Sequence, residues 1–274
     1  MPELPEVETV ARSLRPRLVG RTIRRVSTSG LSLRSPVDEV GLRLACEGAR
    51  ALGVRRIGKY LLIDLSSDFV VLAHLGMSGR FAFAQNNDAL APHTHAVFTL
   101  DEGELRYVDP RRFGVLVARR AGEVMASAEL ALLGPDPLSD AFTVEHLARE
   151  AASSRGVALK SFLLDQRRVA GLGNIYVCEA LHAARLSPRR RANTLGGERV
   201  VRLHHEIRAV LAAAVARRGT TLRDYADADG GLGGNQHHLA VYGRAGAPCP
   251  SCGAAIRQIV QAARSTWYCP RCQR

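Results

Sequence analysis

The sequence predicts an α+β fold in which a β-rich N-terminal half is followed by a helical region and a final β-hairpin. Short apolar runs with strand-like composition fill residues 54–120, whereas residues 143–218 carry apolar side chains at helical spacing. Two Cys-x-x-Cys pairs flank the last apolar stretches, from Cys249 to Cys272. With 274 residues and 46% hydrophobic side chains, the chain can form more than one folded domain.

The first helix is predicted to begin at Pro5 and to end before Gly20. Proline suits the first helical position because its missing N–H would have no intrahelical partner there. Apolar residues then follow at helical spacing and indicate one buried face: Val7, Val10, Ala11, Leu14 and Leu18.

Five β-strands are predicted between Val54 and Arg120. Their sequences are rich in β-branched and aromatic residues, and turn-like segments such as SSD and DEGE separate them. Several short strands joined by turns are typical of a β-sandwich or a barrel. The five segments are KYLLIDL, FVVLAHL, HAVFTL, ELRYV and FGVLVARR.

Four helices are predicted after this β-rich region, and a glycine-rich loop follows them. The helical segments are VEHLAREAA, ALKSFLLDQ, IYVCEALHAA and ERVVRLHHEIRAVLAAAVARR, with the turn AGLGN between the second and the third. Residues 219–240 include DADGGLGGNQHH, which has too few apolar residues for a packed core, so we expect a mobile loop. The stretch LGPDPLSDAF at 133–142 contains two prolines and a glycine and indicates a domain boundary.

The charge balance points to a polyanionic partner. Lys+Arg number 38 against 26 Asp+Glu, which gives a formal net charge of +12 and a pI near 10.2. Nucleic acid is the leading candidate, although an alkaline protein with no such partner would show the same balance. No apolar run reaches the roughly 18 residues of a membrane span, and the acidic N-terminal segment lacks the features of a signal peptide. We therefore expect a cytoplasmic protein without membrane contact.

The strongest local motif is the pair Cys249-Pro-Ser-Cys252 and Cys269-Pro-Arg-Cys272. Two such pairs separated by sixteen residues are typical of a zinc ribbon, in which four thiolates bind one zinc ion tetrahedrally. Disulfides are the alternative, and the lack of a secretory signal disfavours them. We therefore expect one structural Zn²⁺ with sulfur at all four positions. The other two cysteines lie in apolar segments and are predicted to be buried: Cys46 and Cys178.

The segment between the cysteine pairs, IRQIVQAARSTWYC, is predicted to form two strands around a turn at about residues 263–265. Arg264 would project from the tip of this hairpin, where it is either solvated or in contact with a phosphate. The AGLGN turn offers backbone N–H groups at a helix start, together with the amide of Asn174. It is either a phosphate-binding turn or a plain connection between helices.

The acidic N-terminal segment MPELPEVETV carries a candidate nucleophile. Removal of Met1 would leave Pro2 with a free secondary amine, which condenses with an aldehyde-like carbon to a cationic iminium. A terminal amine with a pKa of about 8 keeps a usable neutral fraction at pH 7. Glu3 adjoins it as a potential acid or base, and Glu6 lies in the first helical turn. The alternative is that both glutamates only complement the helix dipole.

Nearly all basic residues are arginines, and the chain has only two lysines: Lys59 and Lys160. Lysine can lose a proton at moderate cost and arginine cannot, so both lysines are candidates for chemistry. A genome bias towards arginine codons would explain the same composition.

Taken in order along the chain, these segments resemble the bacterial formamidopyrimidine-DNA glycosylases. The matching stretches are MPELPEVETV, GKYLL, HLGMSG, DPRRFG, LGPDPLSD, LLDQRRVAGLGNIYVCEAL, VYGR and the four-cysteine ribbon. The resemblance implies a monomeric, bifunctional DNA glycosylase and AP lyase of base excision repair. It also implies an N-terminal β-sandwich, a helix-two-turn-helix domain and a zinc ribbon, which we expect at residues 1–134, 135–240 and 241–274.

The resemblance implies a substrate and a set of catalytic roles. The substrate would be double-stranded DNA with oxidised purines, mainly 8-oxoguanine and formamidopyrimidines. Pro2 would attack C1′ of the nucleotide, and Glu3 would protonate the sugar ring oxygen to open the ring. Lys59 corresponds to the lysine assigned to β-elimination, and Arg264 to the arginine associated with δ-elimination. Both residues would also contact phosphates.

The resemblance further implies a set of DNA contacts. Met77, Arg111 and Phe113 match the trio that fills the space left by a flipped-out base. Lys160, which precedes the helix-two-turn-helix, would contact a phosphate or support the structure. Four other residues fall on DNA-contacting positions of the family: His74, His93, Arg155 and Asn174.

One departure from the family pattern concerns the glycine-rich loop. Many relatives carry an aromatic residue before the VYGR segment, where this chain reads GLGGNQHH with Asn235 in that neighbourhood. Because the loop helps to cap the everted base, this departure bears on lesion preference and not on the elimination chemistry.

Two alternative functions stay open at this point. One is an endonuclease VIII-like glycosylase for oxidised pyrimidines, which shares the architecture but is disfavoured by the Leu4-Pro5 pair. The other is a non-catalytic zinc-ribbon DNA-binding protein, in which the amine of Pro2 would be blocked.

Overall fold

A computed structural model describes residues 2–222 and 225–274 of the chain. The chain forms two compact units: one comprises Met1–Ala131 and Arg217–Gly234, the other Leu132–Ala216 and Asn235–Arg274. The predicted α+β class is confirmed, since the first unit holds two β-sheets and the second holds helices and a final hairpin. The finer division into three domains stays a prediction. Within the two described ranges, no helix is both long and apolar enough to cross a membrane.

The first unit contains a β-sandwich of two antiparallel sheets. Its helices and strands are α1 (Leu4–Leu18), β1 (Ile23–Thr28), α2 (Glu39–Cys46), β2 (Ala51–Ile57), β3 (Tyr60–Leu65), β4 (Phe69–His74), β5 (Arg80–Ala84), β6 (Thr94–Leu100), β7 (Glu104–Val108) and β8 (Val115–Arg120). The strand order is β1-β6-β7-β5 in one sheet and β2-β3-β4-β8 in the other. The five predicted strands correspond to β3, β4, β6, β7 and β8.

One hydrophobic core cluster contains side chains from both sheets and from the two helices of this unit. The apolar face of α1 is buried, as predicted, and it packs with side chains from strands of both sheets. In addition, α1 contacts β2 and β3, and α2 contacts β4 and β8. Strands β3 and β4 are therefore buried at most positions, which explains why their sequences are almost continuously apolar.

The sequence pattern did not predict four of the helices and strands of the first unit: β1, β2, β5 and α2. Strands β1 and β5 lie at the two edges of one sheet and β2 lies at an edge of the other. Polar side chains weaken the apolar alternation of β1 and β2, and β5 is only five residues long. In β1 only Ile23 and Val26 are buried. Helix α2 is short, and its clearest signal is the N-cap Asp38, whose Oδ1 accepts the N–H of Gly41 at 2.9 Å.

The second unit contains the four predicted helices and the predicted hairpin. They are α3 (Val144–Ser153), α4 (Leu159–Leu164), α5 (Asn174–Ala183), α6 (Glu198–Ala216), β9 (Arg257–Gln261) and β10 (Arg264–Tyr268). Helix α5 is the centre of this unit, because every residue from Ile175 to His182 is buried. It contacts α4, α6 and β10.

The hairpin turn lies earlier than the sequence suggested. Gln261 pairs with Arg264, so the turn consists of Ala262 and Ala263, and Arg264 is the first residue of β10. Both alanines have positive φ values, 48° and 56°, as the right-handed twist of a two-residue hairpin requires. The prediction of a turn at 263–265 was wrong because no glycine or asparagine marks the turn.

The glycine-rich segment after α6 is partly packed, which differs from the predicted loop. Ala228 is 4% exposed and belongs to the core of the first unit, and Tyr225 packs against that core. Residues 235–238 form a short 3-10 helix. Two residues of the predicted loop, Arg223 and Asp224, lie outside the described residues. The low apolar content of this segment did not predict its packing, because a single small side chain, Ala228, is enough to join an existing core.

The hairpin turn offers a test of backbone strain. Replacing Ala262 with Asn and Ala263 with Gly should stabilise the hairpin, because both residues tolerate positive φ better than alanine does. We expect amide hydrogen exchange in β9 and β10 to slow by roughly 5- to 30-fold, which corresponds to about 1–2 kcal/mol. Ala254, which has no positive φ, supplies the control: Ala254→Gly should not slow exchange. Unchanged exchange in the turn variant would contradict the strain argument.

Candidate active site and zinc centre

A reciprocal pair of glutamates fixes the N-terminal end of α1. Glu3 is the N-cap residue, and Glu3 and Glu6 form a capping box in which Glu6 Oε2 accepts the N–H of Glu3 at 2.8 Å. Only 3% of Glu3 and 1% of Glu6 are exposed, and the adjacent Pro2 is also buried. Both glutamates therefore stabilise the start of α1, whether or not Glu3 also takes part in chemistry. Met1, whose removal the Pro2 hypothesis requires, lies outside the described residues.

Lys59 lies in the turn between β2 and β3, and two hydrogen bonds show where this turn points. Arg15 Nε donates to Val54 O at 2.7 Å, and Arg56 Nε donates to Glu8 Oε2 at 3.3 Å. Strand β2 therefore runs antiparallel to α1, because Val54 lies beside Arg15 and Arg56 lies beside Glu8. The next residues of the hairpin continue in this direction, so Lys59, which is 7% exposed, lies toward the N-terminal end of α1.

Glu6 also holds the segment that follows α6. Its second carboxylate oxygen, Oε1, accepts the N–H of Thr220 at 2.7 Å. Farther along α1, Ser13 Oγ accepts the N–H of Ala228 at 3.1 Å. The helix that begins next to Pro2 is therefore hydrogen-bonded to this segment at several points along its length. Sequence analysis placed Glu6 only in the first helical turn, because nothing local indicates a partner more than two hundred residues away.

His74 is kept uncharged by its surroundings. It is 8% exposed, and burial, together with the positive charges of Arg34 and Lys59, lowers the pKa of its imidazole to about 3. Its Nδ1 accepts the N–H of Gly76 at 3.0 Å, so the ring proton is on Nε2. In the protein alone, His74 is thus a neutral imidazole at physiological pH, with its ring proton on Nε2.

Met77, Arg111 and Phe113 lie on two loops that touch each other. Met77 is 41% exposed and Phe113 is 44% exposed, and the Arg111 guanidinium lies 5.0 Å from the centroid of the Phe113 ring. Gly76 has φ +60°, and a Cβ at this position would lie 2.5 Å from the backbone carbon of Phe113. The two loops are therefore in backbone contact, and an apolar, a cationic and an aromatic side chain share one exposed surface.

The buried carboxylate of Asp109 holds these two loops in place. Asp109 Oδ1 accepts the hydroxyl of Ser78 at 2.7 Å, and Oδ2 accepts the N–H of Gly114 at 2.8 Å. Ser78 Oγ in turn accepts the N–H of Arg111 at 3.2 Å. The backbone N–H of Asp109 donates to the carbonyl of His93, which is exposed and has φ +65°. Sequence analysis missed Asp109, whose only signal is an acidic residue directly after an apolar strand.

In the second unit, two side chains fix the backbone directly after Arg264. Asn174 Nδ2 donates to Ser265 O at 2.9 Å, and Lys160 Nζ donates to the same oxygen at 3.0 Å and to Thr266 Oγ1 at 2.5 Å. Lys160 has 0% exposure, whereas Arg264 is exposed. Lys160 was expected either to contact a phosphate or to support the structure. Because its side chain is fully buried, it cannot contact a phosphate in this conformation. Lys160 supports the hairpin that presents Arg264.

The four cysteines of the ribbon form a site suited to one structural Zn²⁺. Their sulfur atoms all lie within 4.8 Å of one another, with Cys249 and Cys272 Sγ 3.9 Å apart and Cys252 and Cys269 Sγ 3.5 Å apart. Tetrahedral sulfur ligands at about 2.3 Å from zinc are about 3.8 Å apart, whereas a disulfide bond is about 2.05 Å long. The geometry fits zinc, and the disulfide alternative is wrong for these cysteines.

Helix α5 attaches the zinc ribbon to the rest of the second unit. Glu179 accepts the backbone N–H groups of residues 240, 241 and 242 at 2.7, 3.0 and 2.8 Å. Burial raises the pKa of this carboxyl group, and the three N–H groups oppose that shift. His182 Nε2 lies 3.4 Å from Cys249 Sγ, and Cys178 is buried, as predicted, in the same cluster. Sequence analysis identified neither Glu179 nor His182.

The predicted site residues are divided between the two units. The first unit holds Pro2, Glu3, Lys59, His74, Met77, His93, Arg111 and Phe113, and the second holds Arg155, Asn174, Arg264 and the four cysteines. Arg155 is exposed in the turn between α3 and α4. Asn235 is only 5% exposed, so its side chain is buried.

Family models match most of the chain in three segments. The model for the formamidopyrimidine-DNA glycosylase N-terminal domain matches residues 1–116, and the model for the formamidopyrimidine-DNA glycosylase H2TH domain matches residues 133–226. Residues 246–274 match the model described as a zinc finger found in FPG and IleRS.

Relatives and solved structures agree with these matches. The chain is 47% identical over 275 residues to formamidopyrimidine-DNA glycosylase of Rhizorhabdus wittichii, with 100% of both chains covered. It resembles the crystal structure of the MutM (Fpg) protein from Thermus thermophilus, with a TM-score of 0.89, 44% identity, and 99% of this chain and 98% of that chain covered.

A third relative is known in complexes with DNA. A Lactococcus lactis Fpg mutant bound to Fapy-dG-containing DNA gives a TM-score of 0.92 at 34% identity, with 100% of both chains covered. The same protein has also been solved with DNA that contains an oxidised pyrimidine or an abasic site. These matches extend over both units and over the zinc site. The chain belongs to the formamidopyrimidine-DNA glycosylase family and is a DNA glycosylase of base excision repair.

Proposed function

We propose that this glycosylase removes oxidised purines, mainly 8-oxoguanine and formamidopyrimidines, and then cuts the strand at the abasic sugar as an AP lyase. The observation that carries the proposal is the N-terminal end of α1, where Pro2 and Glu3 are buried and toward which the β2–β3 hairpin directs Lys59. The Fapy-dG DNA bound by the Lactococcus lactis relative supports this substrate class.

The reaction begins at the secondary amine that Pro2 carries once Met1 is removed. Its nitrogen attacks C1′ and forms a bond with it, the bond from C1′ to the damaged base breaks, and the base leaves with the proton that the amine gives up. Glu3 gives a proton to the ring oxygen O4′, so the sugar opens and the amine nitrogen becomes an iminium. Because the iminium withdraws electrons, the C2′ proton becomes acidic. Its loss expels the 3′ phosphate by β-elimination, and a second elimination expels the 5′ phosphate.

Lys59 and Arg264 have supporting roles in these eliminations. Lys59 assists β-elimination and contacts a phosphate, and its ammonium is one of the two charges that keep His74 neutral. Arg264 assists δ-elimination and contacts a phosphate from the tip of the hairpin. Its backbone position is set by Lys160 and Asn174 through Ser265.

Side chains on both units supply the contacts with double-stranded DNA. On the first unit, Met77, Arg111 and Phe113 fill the space that the flipped-out base leaves, since an open stack costs a few kcal/mol. His74 and His93 contact DNA on the same unit. On the second unit, the contacts come from Arg155 and Asn174. The formal charge of +12 supports this partner. We infer that the protein acts as a monomer in the bacterial cytoplasm.

Oxidised pyrimidines are the second candidate substrate class. The Lactococcus lactis relative has been solved with DNA that contains an oxidised pyrimidine, so the shared architecture accepts such a base. In this chain Asn235 is buried and supplies no aromatic surface for a base. The non-catalytic alternative is set aside because the chain belongs to a family of glycosylases.

Borohydride trapping tests the nucleophile. Reduction of the protein with an 8-oxoguanine duplex should give a covalent adduct on Pro2, because only an iminium is reduced to a stable amine bond. Peptide mapping by mass spectrometry locates the adduct, and a duplex with an oxidised pyrimidine in parallel ranks the two substrate classes. An N-terminal extension should abolish trapping and leave lesion binding intact. An adduct on Lys59, or none with any oxidised purine, overturns the assignment.

Replacing Glu3 with Gln separates its chemical role from its capping role. Glutamine can still accept the N–H of the capping box but cannot deliver a proton. We expect lesion-duplex affinity to change by no more than a few-fold and the single-turnover rate of base removal to fall by roughly 100-fold or more. Glu39, in the first turn of α2, is the matched control, and Glu39→Gln should leave the rate unchanged. If both variants remove the base at the native rate, Glu3 is only a helix cap.

The zinc ribbon should affect DNA binding through Arg264 and not through catalysis by the metal. Four sulfur ligands leave no position for an activated water. Cys269→Ser should lower zinc content from about one per chain and disorder the hairpin, so its loss of DNA affinity should exceed that of Arg264→Ala. The double variant should bind no more weakly than Cys269→Ser alone, because both changes act through one element. Titration of a lesion duplex checks this, and native affinity in the metal-free protein would contradict it.

A further inference from the structure

His182 lies next to a zinc ligand, although it belongs to α5 and not to the ribbon. Its Nε2 is 3.4 Å from Cys249 Sγ, and the residue is 7% exposed. Cys249 itself is 2% exposed and is packed among apolar side chains that include Val241 and Ile256. The imidazole is thus the polar side chain that α5 places against this sulfur.

The direction of the hydrogen bond follows from the metal. A cysteine bound to zinc is a thiolate and has no proton to donate. It can only accept, so His182 must carry a proton on Nε2 and donate it to Cys249 Sγ. This fixes the protonated ring nitrogen without reference to solution pH.

The two buried sulfurs of the site need donors that water cannot provide. Four thiolates and one Zn²⁺ have a net charge of about −2, and a buried charge is costly unless hydrogen bonds stabilise it. Cys252 and Cys272 are partly exposed, so solvent can reach them. Cys269 Sγ accepts the backbone N–H of Cys272 at 3.4 Å. For Cys249 the side-chain donor is His182.

We propose that His182 is a positioning residue of the zinc centre: its Nε2–H holds the Cys249 thiolate in place and slows the loss of zinc. The role goes beyond the glycosylase reaction, because it concerns the sulfur of a zinc ligand and not the residues to which we assign the chemistry. Since α5 begins with Asn174, which holds the hairpin at Ser265, the same helix supports the ribbon at the metal and at the hairpin. Partners of metal ligands commonly change metal affinity by roughly 10- to 100-fold when they are removed.

Two substitutions at His182 separate the N–H donor from the volume of the ring. His182→Phe keeps an aromatic ring and removes the donor, whereas His182→Gln keeps an N–H near the position of Nε2. Zinc transfer to a chromogenic chelator measures retention. We expect the rate of zinc transfer to be roughly 10- to 100-fold higher for the Phe variant than for the native protein. For the Gln variant, we expect a rate within about threefold of the native one. The sulfur-to-cobalt charge-transfer absorption of the Co²⁺-substituted protein should shift only in the Phe variant.

His204 supplies the matched control. It lies on α6 in the same unit, is partly buried, and its Nε2 lies 2.7 Å from the carbonyl oxygen of Phe142, away from the metal. His204→Phe should retain zinc as the native protein does. Native zinc retention in His182→Phe overturns the proposal. Equal loss of zinc from the Phe and Gln variants also overturns it, because the ring volume and not the donor would then matter.

A measurement on the unmutated protein decides the matter if His182→Phe fails to fold. In the ¹¹³Cd-substituted protein, the Nε2 proton of His182 should be visible by NMR and should show a scalar coupling to the metal through the Cys249 sulfur. A proton found on Nδ1 with Nε2 unprotonated, or an Nε2 proton without coupling, overturns the proposal.

Discussion

The structure depends on holding the N-terminal end of α1 in one place. The first residues of a chain are usually poorly ordered unless packing ties them down. Here five apolar side chains of α1 are no more than 1% exposed: Leu4, Val7, Val10, Leu14 and Leu18. At about 1.5–3 kcal/mol for each buried side chain, their burial contributes on the order of 10 kcal/mol, whereas a helix cap contributes about 1 kcal/mol. Packing therefore anchors the helix, and the Glu3–Glu6 cap sets the geometry of its first residues.

The capping carboxylate also connects two distant parts of the chain. Glu6 uses one oxygen for the N–H of Glu3 and the other for the N–H of Thr220. A rotation of this side chain that improved one hydrogen bond would weaken the other, so the helix start and the segment after α6 are geometrically coupled. The second unit uses the same device, since Lys160 and Asn174 share the carbonyl oxygen of Ser265. In both units a single shared group fixes the backbone next to a residue that we assign to chemistry.

Sequence patterns predicted the helices, strands and motifs whose side chains repeat at regular spacing. They missed the edge strands β1, β2 and β5 and the residues that act through hydrogen bonds to distant parts of the chain. The buried face of α1, the central strands and the four-cysteine ribbon each have a local signature. Edge strand β1 does not, because most of its polar side chains face solvent, and edge strand β5 has only five residues, two of which are alanines. Asp109, Glu179 and His182 were missed for a different reason: their function consists of hydrogen bonds to residues that are distant in sequence or lie in loops without regular spacing. The family resemblance named contact residues but not the groups that hold them.

The two lysines of this arginine-rich chain show how burial decides what a cation does. Lys160 has 0% exposure, and its compact ammonium is satisfied by Ser265 O and Thr266 Oγ1. A guanidinium has five N–H donors in one plane and would need more acceptors and more space at this position. Lysine is therefore required there by fit, and no proton transfer need be invoked. Lys59 is also largely buried, at 7% exposure, but it lies in a turn that we infer to be directed toward Pro2, and its charge lowers the pKa of His74. Since one lysine is explained by packing, composition alone could not have separated a structural cation from a chemical one.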